Sequence, residues 1–345
     1  MTCFDHPAPA ALTATAIKAR PNTIDVVYLW VDNADPVWRQ RRHHAYAAWV
    51  AKHPGELAAF GNVAGRYRDN GELLFNLRAL EKFFPAYGHI YIVTDSQVPT
   101  WLQSSPGLTV VGHKDLLTSR GLGVFDSGHI ESYLHHIPGL SEQFFYLNDD
   151  VFFGAKVVPS DWFGQRLTVF AEDMLVPDYE TMQAHETSLV NASIQSRDWM
   201  SLRYPDYQHE PRVYSHAPRP MLKSAMFELE RLAPELFAQV RSTSFRSWRI
   251  PALVPDLVPR WMVHMGYAAQ RILNPLHIST GDPQAAQQLV TLQTEFGTLP
   301  FFCINDTCDD AADDDLRLRR IADTLYTLLP EPSQFETLLE ERAAA

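Results

Sequence analysis

The sequence predicts an α/β fold: a central, mostly parallel, twisted sheet flanked by helices. Three observations carry that prediction. Several short runs are too uniformly apolar for strands with one wet face. Segments with helical periodicity alternate with them, and the spacing between runs leaves room for βαβ crossovers.

The first run, Ile24-Asp-Val-Val-Tyr-Leu-Trp-Val31, is rich in β-branched and aromatic residues and reads as a buried strand. Asp35-Pro36 follows, an N-cap and N1 proline that open a helix through about Ala51. Apolar residues at 73, 74, 77, 80, 83 and 84 place a helical stripe over Glu72–Phe84. His89–Thr94 and Leu108–Val111 are further buried strands. Ser127 caps a short helix through His136, and Phe144–Leu147 is a fourth strand. From 160 to 270 the chain is Pro-rich and less periodic, with helices predicted near 186–202, 220–240 and 259–272. Phe301–Ile304 is a late strand. A helix is expected from Asp309 to Leu329, and Ser333-x-x-Glu336 reads as a capping box opening a last one. The expected organisation is a flexible tail over 1–22 and a single domain over 23–345. That domain carries a helical insertion at about 175–275 and C-terminal helices at about 309–342.

With 46% hydrophobic and 20% charged residues, the chain has the composition of a globular protein with a sizeable core. Its formal charge of −12 argues against a nucleic-acid partner, which would require a positive face. A phosphate-bearing small ligand stays compatible, because a metal and a few Arg or Lys residues neutralise it locally. Cys3, Cys303 and Cys308 are an odd, sparse set that points to a reducing compartment. Cys303 and Cys308 lack a second Cys or His pair in register, so no zinc site is expected. No apolar run approaches 18 residues and no signal-peptide pattern is present, so a cytoplasmic location is expected.

The residues with the most chemistry stand at strand ends, where open parallel sheets bind ligands. Asn148-Asp149-Asp150 directly follows the strand Phe144–Leu147, and Asn305-Asp306 follows Phe301–Ile304. Asp32 ends the first strand in the same way. Adjacent carboxylates can divide their work, one on a metal and one on a substrate hydroxyl. Mg²⁺, or Mn²⁺, bound by Asp149, Asp150 and Asp306 suits a nucleotide diphosphate. A turn or helix cap is the plainer reading of each acid taken singly. His216 offers a base that titrates near neutrality, and Arg246 a fork that matches phosphate oxygens. The loop Arg66–Glu72, with Asp69 and Asn70, leads into a helix and could hold a phosphate or sugar. Arg78 lies inside that helix, where a salt bridge is the ordinary role. Tyr28, Trp30 and Trp101 are of a type found more often in cores than as stacking platforms. The acidic run Asp313-Asp314-Asp315 reads as a solvated helix start.

Several segments together resemble the Stealth proteins. Ile24-Asp-Val-Val-Tyr-Leu-Trp-Val-Asp-Asn-Ala-Asp-Pro36 is similar to the first characteristic region of that family. Arg68-Asp-Asn-Gly-Glu-Leu73, Ile90-Tyr-Ile-Val-Thr94, Ile130-Glu-Ser-Tyr-Leu-His135 and Tyr146-Leu-Asn-Asp-Asp150 resemble the second. His216-Ala-Pro-Arg-Pro220 with Phe245-Arg-Ser247 resembles the third, and Phe302-Cys-Ile-Asn-Asp306 the fourth. The resemblance implies a GT-A-like nucleotide-sugar-binding core and transfer of a hexose- or N-acetylhexosamine-1-phosphate from a UDP-sugar to a glycan hydroxyl. UMP is then released, as in capsular or cell-surface polysaccharide synthesis. It implies catalytic roles for Asp149, Asp150, His216 and Arg246, with His216 or an Asp as the base. Metal ligation falls to Asp149, Asp150 and Asp306. Substrate contacts fall to Trp30, Asp32, Asp69, Asn70, Arg78, Asn148 and Asn305. Implied partners are the nucleotide sugar, a poly- or oligosaccharide acceptor, and membrane-bound polysaccharide export machinery met at the inner face of the cell membrane. A glycosyltransferase releasing UDP and a non-catalytic glycan- or nucleotide-binding protein are the competing readings.

Overall fold

The computed structural model describes residues 23–118, 123–312 and 314–337. The N-terminal tail, Cys3, Asp313 and residues 338–342 of the expected last helix lie outside these. In chain order the strands are β1 Ile24–Leu29, β2 Ile90–Thr94, β3 Leu108–Gly112, β4 Gln143–Asn148, β5 Val151–Phe153 and β6 Leu167–Leu175. Then come β7 Arg212–Tyr214, β8 Arg219–Leu222, β9 Ala268–Ile272, β10 Leu276–Ser279 and β11 Phe301–Asn305.

The principal sheet has the order β3-β2-β1-β4-β8. β1 pairs in parallel with both β2 and β4, and β2 with β3; only the edge strand β8 runs antiparallel, against β4. The apolar runs explain this arrangement. β1 and β2 are buried along their whole length, as expected for strands covered on both faces. β8 contains Pro220, which has no N–H to donate and is tolerated at an edge. The mostly parallel α/β sheet predicted from the sequence is therefore present.

Two smaller sheets, β10-β11-β5 and β7-β6-β9, were not foreseen. The middle of the chain carries the expected helices and three strands besides. Ser188–Arg203 is a helix, whereas the predicted 220–240 helix is two, Lys223–Leu232 and Pro234–Val240, broken where Pro234 starts a new first turn. The helix expected at 259–272 stops at His264, and 268–272 is β9. A helix at Ala285–Glu295 went unpredicted. Asp126, not Ser127, caps the short helix Ser127–Glu131, and Asp315 caps Leu316–Leu328, which starts later than expected. Among the described residues no helix is long and apolar enough to cross a membrane.

The Ser333–Glu336 segment is a turn through its described residues, not the opening of a helix. Glu336 accepts from the Ser333 N–H, and also meets Arg78 through two bonds, Nε to Oε1 at 2.8 Å and Nη2 to Oε2 at 2.6 Å. Arg78 Nη1 donates to the Leu329 carbonyl at 2.8 Å. Both side chains are under a tenth exposed. Arg78 is thus not free for the substrate role implied by resemblance: its guanidinium fastens the C-terminal segment to the helix Glu72–Phe83. Removing one partner strands a buried charge, so Arg78→Met is expected to lower unfolding free energy by about 3–5 kcal/mol. Urea denaturation measures this, and an unchanged midpoint refutes the fastening role.

Candidate active site

The order β3-β2-β1-β4 reverses direction between β1 and β4, both followed at their carboxyl ends by acidic loops. That junction is a topological switch point, the place where open parallel sheets leave a crevice for ligand. The register aligns Leu29 with Asn148, bringing the segments beyond them together. One contributes Trp30 and Asp32, the other Asn148, Asp149 and Asp150.

After Asn148 the chain bends and enters β5. Asn76, fully buried on the helix Glu72–Phe83, donates through Nδ2 to the carbonyls of Asp149 (2.9 Å) and Val151 (2.7 Å). Its Oδ1 accepts from the Tyr28 hydroxyl at 3.2 Å. The same helix starts at Glu72, whose carboxylate accepts from Asn70 N at 2.6 Å and Asn70 Nδ2 at 2.8 Å. Asp69 Oδ1 accepts from Gly71 N at 2.9 Å; Gly71 has φ +87°, a conformation that glycine enters without strain.

Burial pushes these carboxyls upward. Asp149 stands well above its ordinary value, driven first by desolvation and then by the charges of Asp150, Glu72 and Asp69. Desolvation and Asp69 raise Glu72 to about 8, and desolvation, with Asp32 adding to it, raises Asp69 to about 6. Asp150 is raised by burial to about 6, against the pull of His277, Cys303 and Arg66, and its Oδ1 is buried without a partner. This is an acidic ridge short of cations.

Across from it, His216 precedes β8. Its Nε2 lies 3.4 Å from Asn148 Oδ1 and 3.9 Å from Asp150 Oδ1, and its Nδ1 3.4 Å from Cys303 Sγ. Burial, with Arg219, His277, Arg246 and Arg66 nearby, holds the imidazole well below its usual range and therefore neutral. Arg246 donates to Ser127 Oγ at 2.8 Å and faces Asp126 at 3.7 Å. Burial and the charge of Arg246 also lower Arg66. The two guanidiniums stand beside a neutral imidazole, with Asp126 as the carboxylate facing them.

Asp149, Asp150, His216 and Arg246 thus share one neighbourhood, but Asp306 is used differently. Its Oδ1 accepts from Thr280 Oγ1 at 3.1 Å and from Cys308 N at 2.9 Å; its Oδ2 accepts from Asn70 at 3.3 Å and pairs with Arg68. Among the described residues no set of donors unites Asp306 with Asp149 and Asp150, so the structure does not assemble the expected three-acid metal site. Gly65 presses against Asp306 so closely that a Cβ would lie 2.3 Å from its carbonyl oxygen, which keeps the 64–72 loop seated there. Asn305 ends β11, its carbonyl accepting from Thr280 N at 3.0 Å. Trp30 is only 4% exposed, so no more than an edge of its indole can meet a ligand. Asp32 sits at the crevice mouth, bonded through its backbone to Gln97.

Sequence reasoning missed Asn76, His277 and Cys303 as parts of this site and met Glu72 only as the end of a candidate binding loop. Asn76, a polar residue inside an apolar helical stripe, was the one legible signal. His277 and Cys303 become neighbours only through pairing of distant strands.

The ridge has a consequence for stability. Glu72 is protonated in the folded protein up to about 8 but only to 4.5 ordinarily. Below 4.5 both states carry the proton; as pH rises from there to about 8 the unfolded state alone releases it, and folding is progressively disfavoured. Glu72→Gln is therefore expected to flatten the fall in melting temperature over that range and to raise it at pH 8. A melting curve series checks this, and an unaltered slope contradicts it.

Three family models match this chain: Stealth protein conserved region 1 over residues 22–45, conserved region 2 over 66–170 and conserved region 4 over 299–345. An exopolysaccharide phosphotransferase of Streptomyces coelicolor is 36% identical over 93% of this chain and 53% of its own length. The exopolysaccharide phosphotransferase CpsY of Mycobacterium tuberculosis is 31% identical, over 91% of this chain and 58% of its own length. A capsular polysaccharide phosphotransferase of Actinobacillus suis is 31% identical over 83% of this chain and 78% of that relative. The chain therefore spans little more than half of the first two relatives. Among solved structures, the galactosyltransferase LgtC bound to donor and acceptor sugar analogs aligns over 93% of this chain and 100% of its own. The identity is 9% and the TM-score 0.41, too distant to bear on mechanism.

Proposed function

This chain belongs to the Stealth protein family, and from that premise we propose that it is a sugar-phosphate transferase. In this reading it moves a hexose- or N-acetylhexosamine-1-phosphate from a UDP-sugar to a glycan hydroxyl in capsular or cell-surface polysaccharide synthesis. The observation that carries the reading is the opposition of charge across the switch point. A cation-short ridge of Asp149 and Asp150 faces Arg66, Arg246 and a neutral His216.

A nucleotide diphosphate satisfies both sides of that crevice. Its oxygens meet the guanidiniums of Arg246 and Arg66, which stabilise charge gathering on the transferred phosphoryl group. Asp149 and Asp150 fit a divalent cation: they are adjacent and raised by burial, and Asp150 Oδ1 lacks a partner. Mg²⁺ there would neutralise the diphosphate and make its nucleotide half a better leaving group.

The acceptor hydroxyl oxygen forms a bond to the phosphorus next to the sugar. The bond from that phosphorus to the bridging oxygen breaks, and UMP departs with that oxygen. His216, neutral at pH 7, takes the hydroxyl proton. The Tyr146 hydroxyl donates to Asn148 Oδ1 at 3.3 Å, and that oxygen lies 3.4 Å from His216 Nε2, which fixes where the ring sits. Asp306, through Arg68 and Asn70, orients the loop that delivers Asp69 and Arg66. Trp30, Asp32, Asp69, Asn70, Asn148 and Asn305 line the approach for donor and acceptor.

Incubation with a panel of UDP-sugars and a polysaccharide acceptor tests the reading by the nucleotide released. UMP is expected, lost in chelator and restored by Mg²⁺ or Mn²⁺. Asp149→Asn and His216→Ala are expected to lower turnover by about 10²–10⁴-fold. Release of UDP instead makes the protein a glycosyltransferase, and turnover undiminished in chelator removes the metal.

A further inference from the structure

Cys303 is fully buried at the centre of β11, yet its sulfur sits among metal-binding donors. β10 and β11 pair in parallel with His277 directly opposite Cys303, so both side chains leave the same face. His216 approaches that face from the segment before β8. One donor atom each from His216, His277 and Cys303 lie within 4.8 Å of one another. Asp150 stands beside them, its Oδ2 3.6 Å from the sulfur, and its charge acts on His277. The four residues reach this point from the β4–β5 bend, the β7–β8 connection, β10 and β11.

We propose that His216, His277 and Cys303 bind one zinc ion beside Asp150. The donor chemistry selects the metal: two imidazoles and a thiolate favour a borderline-soft ion over Mg²⁺, which prefers oxygen. The spacing agrees. Tetrahedral Zn²⁺, with bonds of about 2.3 Å to sulfur and about 2.0–2.2 Å to nitrogen or oxygen, sets neighbouring ligand atoms about 3.6 Å apart. The sulfur lies 3.4 Å from His216 Nδ1 and 3.6 Å from Asp150 Oδ2, so both edges already match. His277 is exposed and gives the ion a route in. Binding releases the thiol proton, and the resulting Zn–thiolate replaces the weak S–H contact. The other donor trio, His135, His136 and Glu230, differs in kind: the Arg241 guanidinium already neutralises Glu230.

In the reaction proposed above, His216 needs its lone pair for the acceptor proton. Zinc occupancy therefore excludes that role, and the site is an off-position for the enzyme; the metal binding itself does not depend on that reaction.

The test uses the full chain, stripped of metal and titrated with Co²⁺ as a spectroscopic stand-in, without substrate or turnover. One Co²⁺ per chain is expected, with intense visible bands of four-coordinate cobalt and a near-ultraviolet thiolate-to-cobalt band, both abolished by stoichiometric Zn²⁺. His277→Gln, an exposed change that leaves the core untouched, is expected to weaken binding at least tenfold. Cys303→Ser is expected to remove the thiolate band, whereas Cys308→Ser keeps it. Weak six-coordinate spectra, a thiolate band lost in Cys308→Ser, or affinity unchanged in His277→Gln each overturn the proposal. Failure here leaves the UMP-release result standing, and the reverse also holds.

Discussion

The amide of Asn76 is the contact on which the site depends. It supplies N–H donors to two carbonyls, of Asp149 and Val151, that the bend between β4 and β5 withdraws from strand pairing. A buried carbonyl without a donor costs about 1–3 kcal/mol, so the bend needs this partner to exist inside the protein. The Tyr28 hydroxyl on β1 fixes which way the amide faces. Three elements, β1, the helix Glu72–Phe83 and the bend, are therefore locked together by one side chain. That bend also moves the chain from the principal sheet into the one holding β11, so Asp150 and Cys303 become neighbours as a direct result.

Placing acids at such a junction has an electrostatic cost. Asp69, Glu72 and Asp149 are desolvated together; Asp69 raises Glu72, and both raise Asp149. Asn70 and Gly71 N–H offset part of this for Glu72 and Asp69. Nothing comparable reaches Asp150 Oδ1. On the far side, Arg246 depresses Arg66, and both depress His216. The folded protein thus gathers carboxyl groups on one side of the crevice and guanidiniums on the other, with Asp126 beside Arg246. In the proposed reading, a ligand carrying both a cation and phosphates meets both sides at once.

The fold was legible where a segment's burial depends on its own composition. Ile24–Leu29 and Ile90–Thr94 are strands because no other arrangement hides such continuous apolar surface. The acids after β1, β4 and β11 could be read as strand-tip residues for the same reason. β7, β8 and β9 could not be read, being short, polar or proline-bearing segments that are strands only because a partner exists far along the chain. The pairing of His277 with Cys303 is equally invisible: it follows from parallel β10 and β11, separated by a helix that itself escaped prediction. Arg78 illustrates the opposite limit. Its ordinary role, a salt bridge, was foreseeable, but its partner Glu336 lies where the sequence suggested a helix cap.

Asp306 shows how a residue at the expected position can serve a different end. It stands at a strand tip as anticipated, yet the cation beside it is Arg68, and its remaining lone pairs go to Thr280, Asn70 and the Cys308 amide. A carboxylate so occupied has little left to offer a divalent ion, since each new ligand bond must replace a charge-assisted hydrogen bond already made. Moving Arg68 away would also unseat the loop from Gly65 to Glu72, which carries Arg66 and Asp69 to the crevice. Asp306 therefore acts on the proposed chemistry through the loop it holds. The carboxylates still in want of positive charge are those of the β4–β5 bend, and it is there that the proposed reading puts the divalent cation.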